Sequence, residues 1–188
     1  NSFPTPACTC CPAQAMPCRC RPAPNVRAWS HAAQAPMTEA LVRRQTVRAA
    51  FERAAPAYDA AASVQRAAGD ALAEFGAHAT AAAALPAGIA LDAGCGTGHG
   101  LSHLAALSGV RTTVALDLAT SMLRASAART GPAPAPLLLC GDLEQLPLAS
   151  ASVALLWSSL AMQWCAPAAV MRETARVLAA EGWALIAT

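Results

Sequence analysis

Residues 91–100 read LDAGCGTGHG, with glycine at 94, 96, 98 and 100 and an aspartate, Asp92, just ahead of them. The apolar residues Ile89, Ala90 and Leu91 lead into this stretch. A short buried strand that leaves through a turn almost free of side chains narrows the choice of folds sharply. Glycine reaches backbone conformations closed to other residues and lets a ligand or another backbone approach closely. In a parallel α/β sheet, such a turn sits at the carboxyl end of a strand, where ligands bind.

The rest of the chain fits that frame. Strands are predicted over 89–93, 112–116, 137–140, 153–157 and 183–188, and helices over 98–107, 121–128 and 167–178. Pro167 suits a first helical turn, and Glu181-Gly182 turn the chain into the last strand. Five strands separated by helices or long crossovers imply a parallel, doubly wound α/β sheet. Upstream, Leu41, Gln45, Arg48, Phe51 and Ala55 recur at helical spacing, with Thr38 placed to cap and Pro56 to break the helix. A second, longer helix is predicted from there to just before Pro86.

The first 36 residues differ in kind. They hold seven of the 14 prolines and five of the eight cysteines, and no acidic residue precedes Glu39. Proline at this density sustains neither helix nor central strand, so 1–36 is expected to be a disordered extension, and 37–188 one domain. Cys8, Cys10, Cys11, Cys18 and Cys20 could form a thiolate metal site, but their C-x-C spacing is not the C-x-x-C of zinc modules, and an incidental role is the simpler reading. Cys95, Cys140 and Cys165 are spread apart and expected to be reduced and buried, as in a cytoplasmic protein. A net charge of +2 gives no reason to expect nucleic acid, and no uninterrupted apolar run is long enough for a membrane span.

Two glycine fingerprints for phosphate-bearing ligands fail here. G-x-G-x-x-G meets His99 or Leu101 where its third glycine belongs, and a chain without lysine has no Walker A loop. The pattern that fits is Asp92-x-Gly94-x-Gly96-x-Gly98. It resembles the glycine turn of class I S-adenosylmethionine-dependent methyltransferases, which have a Rossmann-like sheet. The resemblance implies that Asp92, Gly94, Gly96 and Gly98 bind the methionine part of S-adenosylmethionine. It implies that Asp117, at the end of the second strand, accepts from the ribose hydroxyls, with Leu118 and Met122 nearby. Asp142 would accept from the adenine amino group, Leu143 would wall the ring, and Trp157 would stand near the transferring methyl.

The run CGDLEQLPLASASVALLWSSLAMQWC and the upstream FERAAPAYDAAASVQR resemble the malonyl-acyl-carrier-protein O-methyltransferases of biotin synthesis. That family implies esterification of a free malonyl carboxylate, on acyl-carrier protein or malonyl-CoA. Val153-Ala154 and Ser159 depart from the family's usual residues. Tyr58, Ser158, Gln163 and Trp164 become candidates to line the acceptor pocket; a plain packing role fits Tyr58 and Trp164 equally. Gln65 and Arg66 are weaker candidates. An acceptor carboxylate, with a reference pKa near about 4, is already ionised at pH 7 and needs no general base. No catalytic acid–base residue is therefore assigned, and no metal; His99 and His103 read as surface residues. Arg43, Arg44, Arg48 and Arg53 could meet an acidic carrier or form a solvated helix face. The rival readings are a methyltransferase of another small acid or quinone precursor, and a noncatalytic interaction module on the same fold. The family's sheet normally continues with two more strands, so the chain is expected to stop short of a full sheet.

Overall fold

The structure, a computed structural model, describes residues 37–80, 85–108, 112–129 and 135–188. The expected disordered tail at 1–36, with its five cysteines, lies outside the described residues, as do 81–84 at the end of the second predicted helix. Helix α1 spans Met37–Ala54, a residue earlier than the cap expected at Thr38, and gives way to a 3-10 turn at Ala55–Ala57 that holds Pro56. The single long helix expected next is two: α2, Tyr58–Ala61, and α3, Ser63–Thr80. They part at Ala62, whose backbone leaves helical geometry (φ −87°, ψ 31°).

Then come β1 (Ile89–Ala93), α4 (Gly100–Ser108), β2 (Thr113–Asp117), α5 (Thr120–Arg129), β3 (Leu137–Cys140), β4 (Val153–Ser159), a 3-10 turn (Met162–Trp164), α6 (Pro167–Val177) and β5 (Leu178–Ala187). All strand pairs are parallel, in the order β3-β2-β1-β4-β5. Leu91 sits opposite Val114 on one side and Leu156 on the other, so β1 is central. The order reverses between β1 and β4, and the crevice for a ligand opens at that switch point, beyond the carboxyl ends.

Alternation along the strands sorts the core into two layers. Ala90, Leu155, Trp157 and Leu185 pack with Leu72 of α3 and Leu104 of α4. Leu91, Val114, Leu116 and Leu156 face the other way, against Leu143 and Leu146 of the 141–152 loop and Val170 and Val177 of α6. β4 outruns its predicted end by two residues. Serine there is tolerated because the buried Ser158 hydroxyl donates to the Ala93 carbonyl oxygen at 2.8 Å. β5 begins earlier than predicted: Leu178 already pairs with Val153, and a bulge follows before Trp183 pairs with Leu155. Glu181, at φ 62°, lies within the bulge. Of the three cysteines expected to be buried, Cys95 is, but Cys140 is exposed and Cys165 half-buried. Among the described residues, no helix is long and apolar enough to cross a membrane.

Leu156 is fully buried in β4, beside the central strand. Leu156→Ala is expected to destabilise the fold by about 2–5 kcal/mol through lost transfer energy and a residual cavity. Chemical denaturation with an unchanged m-value checks this.

Candidate functional site

The glycine series does several jobs. Gly94, Gly96 and Gly98 all have positive φ (83°, 52° and 86°). A β-carbon on Gly94 would overlap Ala161, so the turn is closed from above by the segment that follows β4. One on Gly98 would come 2.5 Å from the Ser126 hydroxyl, so Gly98 lets α5 pack against the turn and lines neither cavity described below. One on Gly100 would meet the Trp157 indole nitrogen at 2.6 Å and an Asp92 oxygen at 2.9 Å. Only Gly96 faces open space.

Asp117 fixes the turn. One carboxylate oxygen accepts from the Gly96 N–H at 2.9 Å and the other from the Ala119 N–H at 2.8 Å. Burial pushes its carboxyl up, while these backbone donors pull the other way. A carboxylate has about four acceptor sites, so capacity remains for further donors. Asp92 is the opposite case. It is 2 % exposed, and its Oδ2 has no hydrogen-bond partner. Burial, and secondarily the charge of Asp117, pushes its carboxyl up to about 8.

Two adjoining cavities share Tyr58, Gly94, Gly96 and Ser159 and form a trough over the carboxyl ends of β1, β2 and β4. The first is floored by Asp117, Leu118, Asp142 and Leu143 and roofed by Val47, Phe51 and Trp164. The second has Asp92, Thr97, Gly100 and Trp157 on one side, and Asp59, Gln65 and Arg66 from α2 and α3 on the other. Tyr58 stands between them; burial, with Asp117 and Asp59 nearby, raises its phenol pKa. Phe51 packs edge-on against Trp164, with centroids 5.8 Å apart, and lies 6.2 Å from the Tyr58 ring.

Of the candidates named from sequence, the trough gathers Tyr58, Asp92, Gly94, Gly96, Asp117, Leu118, Asp142, Leu143, Trp157 and Trp164. Four stand apart. Gly98 is a packing glycine, as above. Met122 is fully buried in α5, Ser158 is occupied by the Ala93 carbonyl, and Gln163 is exposed; none of the three lines either cavity.

Other polar residues hold the roof in place and were not anticipated. Glu52 of α1 accepts from the backbone N–H groups of Thr120 (2.7 Å) and Ser121 (3.0 Å), at the start of α5, and from both hydroxyls. The Ser121 hydroxyl above all, with these other donors, holds the Glu52 carboxyl down at about 2. Asp59 accepts from the Thr97 hydroxyl at 2.6 Å and pairs with Arg129. Glu144, whose side chain is only 5 % exposed, binds Arg43 and Arg44, and Arg44 also pairs with Asp142 at 2.8 Å. Burial alone would raise the Glu144 carboxyl, but the Ala166 N–H and the two arginines hold it below its usual range. Arg43 and Arg44 are thus committed within the fold; Arg48 lies 3.8 Å from Glu52, and Arg53 is exposed. Carboxylates a hundred residues from the arginine run carried no local signal of this pairing.

A buried carboxylate with an unpartnered oxygen at one end of the trough fits a cationic group. Acceptors at the other end, on Asp117 and Asp142, fit a ligand rich in donors. A parallel sheet of this order, with a glycine turn after its first strand and acidic residues at or just beyond the carboxyl ends of the first three, defines a class I methyltransferase fold. A family profile described as "Methyltransferase domain" matches residues 91–186, and the chain belongs to that family. The malonyl-[acyl-carrier protein] O-methyltransferase of Laribacter hongkongensis is 46% identical over 165 residues, covering 81% of this chain and 53% of that protein. The enzyme of the same name from Dechloromonas aromatica is 45% identical over 132 residues, covering 70% of this chain and 46% of its own length. The chain therefore spans about half the length of the curated relatives it matches. A putative S-adenosyl-L-methionine-dependent methyltransferase from Methanococcus maripaludis shares the fold, with a TM-score of 0.59 at 21% identity over 72% of this chain and 62% of its own.

Asp92 makes the stability of the protein pH-dependent in a recognisable direction. Its folded pKa of about 8 stands above the unfolded value of 3.8, so the folded form keeps a proton that the unfolded chain gives up between these values. The stabilisation from Asp92 is full below about pH 4 and is lost as pH rises towards 8. Asp92→Asn is expected to flatten that fall, as measured by melting temperature against pH for both proteins. Parallel curves would remove the assignment.

Proposed function

We propose that this chain carries the methyl-transferring domain of an S-adenosylmethionine-dependent O-methyltransferase that esterifies the free carboxylate of a malonyl group on acyl-carrier protein. The observation that carries the reading is the trough with its three carboxylates. Asp92 would hold the ammonium group, Asp117 the ribose hydroxyls and Asp142 the adenine amino group, while Gly96 leaves the backbone open to approach. S-adenosylmethionine, when bound, supplies an electrophilic methyl group. The choice of acceptor rests on the likeness to the malonyl-[acyl-carrier protein] O-methyltransferases of L. hongkongensis and D. aromatica. It also fits the resemblance of the 140–165 run to the biotin-synthesis enzymes. Malonyl-CoA shares the reacting carboxylate and is the simpler acceptor of the same class.

The protein's own work in this reaction is placement. The acceptor carboxylate is ionised at neutral pH and needs no proton removed. Orientation of the reacting groups can supply about 7–11 kcal/mol. Phe51 and Trp164 line the first cavity from above, and Tyr58 lines both. Ser159 ends β4 in the wall the two cavities share, and Leu160 and Ala161 follow it along the first cavity. Leu160 adopts φ 51° there, held by its N–H bond to Ala187, and so turns Ala161 onto Gly94.

Asp117→Ala removes acceptors from the ligand and also frees the Gly96 N–H. Charge-assisted hydrogen bonds are worth about 1.5–3 kcal/mol each, so S-adenosylmethionine affinity is expected to fall at least roughly tenfold by calorimetry. Unchanged affinity would take Asp117 out of the site. The acceptor is tested with the enzyme, labelled S-adenosylmethionine and matched malonyl- and acetyl-carrier proteins, with products read by mass. Malonyl carrier should gain a methyl group; acetyl carrier, which lacks the nucleophilic carboxylate, should not. Methylation of a different acid with none on malonyl carrier would leave the class standing and overturn the substrate.

A further inference from the structure

The crossing of α3 and α4 holds a cluster that methyl transfer leaves unused. His99 immediately precedes α4, and His103 lies one helical turn on, so the two imidazoles share a face, with ring centroids 5.2 Å apart. Asp70 of α3 reaches across to both. Its Oδ1 lies 3.2 Å from Nε2 of His99 and 2.9 Å from Nε2 of His103. One ligand atom from each of the three residues falls within 4.8 Å of the others. We propose that Asp70, His99 and His103 form a zinc-class metal site, with two imidazole nitrogens and one carboxylate oxygen as ligands and a remaining position open to solvent.

The distances suit such an ion. Zinc bonds of about 2.0–2.1 Å to nitrogen and oxygen in a tetrahedral arrangement place neighbouring ligand atoms about 3.3 Å apart. Two of the three separations lie close to that edge and the third falls within 4.8 Å, so modest side-chain adjustment admits the ion. The donor set points the same way: imidazole selects zinc and its transition-metal neighbours, whereas magnesium and calcium prefer oxygen alone.

The framework is partly prepared. The His103 ring stacks on Trp157 (centroids 5.9 Å apart, planes 30° apart), and that indole is almost fully buried. Asp70 is 60 % exposed as a side chain, and the histidines 33 % and 26 %, so an ion has a route in and the carboxylate has room to adjust. His99 also lines the second cavity beside Gly100. A bound ion would therefore tie α3 to the helix that follows the glycine turn.

The test uses the full chain, with Cys8→Ser, Cys10→Ser, Cys11→Ser, Cys18→Ser and Cys20→Ser in every protein compared, so that thiols do not take up the metal. Zinc chloride is titrated by calorimetry, and melting temperature is followed in parallel. The expected result is one equivalent bound with a rise in melting temperature, and no rise with magnesium at the same concentration. His99→Ala, His103→Ala and Asp70→Asn should each weaken zinc binding at least about tenfold and remove the rise. His103 supports Trp157 and its loss could disturb folding; Asp70→Asn keeps size and sits at the surface, so with an unchanged circular dichroism spectrum it decides the matter. Failure of the parent protein to bind zinc, or undiminished binding in Asp70→Asn, overturns the proposal.

Discussion

The Asp117 carboxylate, gripping the Gly96 amide on one side and the Ala119 amide on the other, is the tie on which the site depends. It joins the turn after β1 to the turn after β2. Backbone bonds from Gly94 and Cys95 to the Leu116 carbonyl anchor the start of the loop, and the Asp117 carboxylate adds the side-chain tie at Gly96. With it, Gly96 is held facing open space while its neighbours pack against Ala161, Ser126 and Trp157. The same group is thus structural on two of its lone pairs and available on the rest.

Electrostatics divides the trough by purpose. Asp92 is buried with an unpartnered oxygen, an arrangement that is costly by itself and good for receiving a positive charge. Asp142 and Glu144 are already answered by arginines of α1. A donor arriving at Asp142 thus joins a carboxylate that Arg44 already holds in place.

The strands beside the glycine turn were legible because their signals are local: an apolar run, a glycine turn, an aspartate closing the next strand. β1 and β3 fall where the pattern put them. The break at Ala62 was not legible, since it closes a run of three alanines, Ala60 to Ala62, that by propensity favours helix. Ser158 read as a pocket residue because it follows an apolar strand; its hydroxyl instead satisfies a buried carbonyl. The resemblance put Met122 near the ribose; the structure buries it fully in α5, because which side of that helix faces the sheet is decided by packing. The pairing of Glu52 with the start of α5, and of Glu144 with Arg43 and Arg44, depends on residues 68 to 101 positions apart, beyond any short-range pattern.

Helix α1 roofs the trough, yet none of its described side chains is buried, and Leu41 and Val42 are exposed. What fastens it is the Phe51 ring against Trp164 and Tyr58 together with a handful of polar clasps: Glu52 on α5, and Arg43 and Arg44 on Glu144 and Asp142. The sheet beneath is sealed by fully buried leucines. Two parts of one domain so differently bonded have different opening free energies, and the lower belongs to the lid. Traffic into and out of the trough can then be governed by local breathing of α1, which responds to ionic strength, while the sheet stays shut.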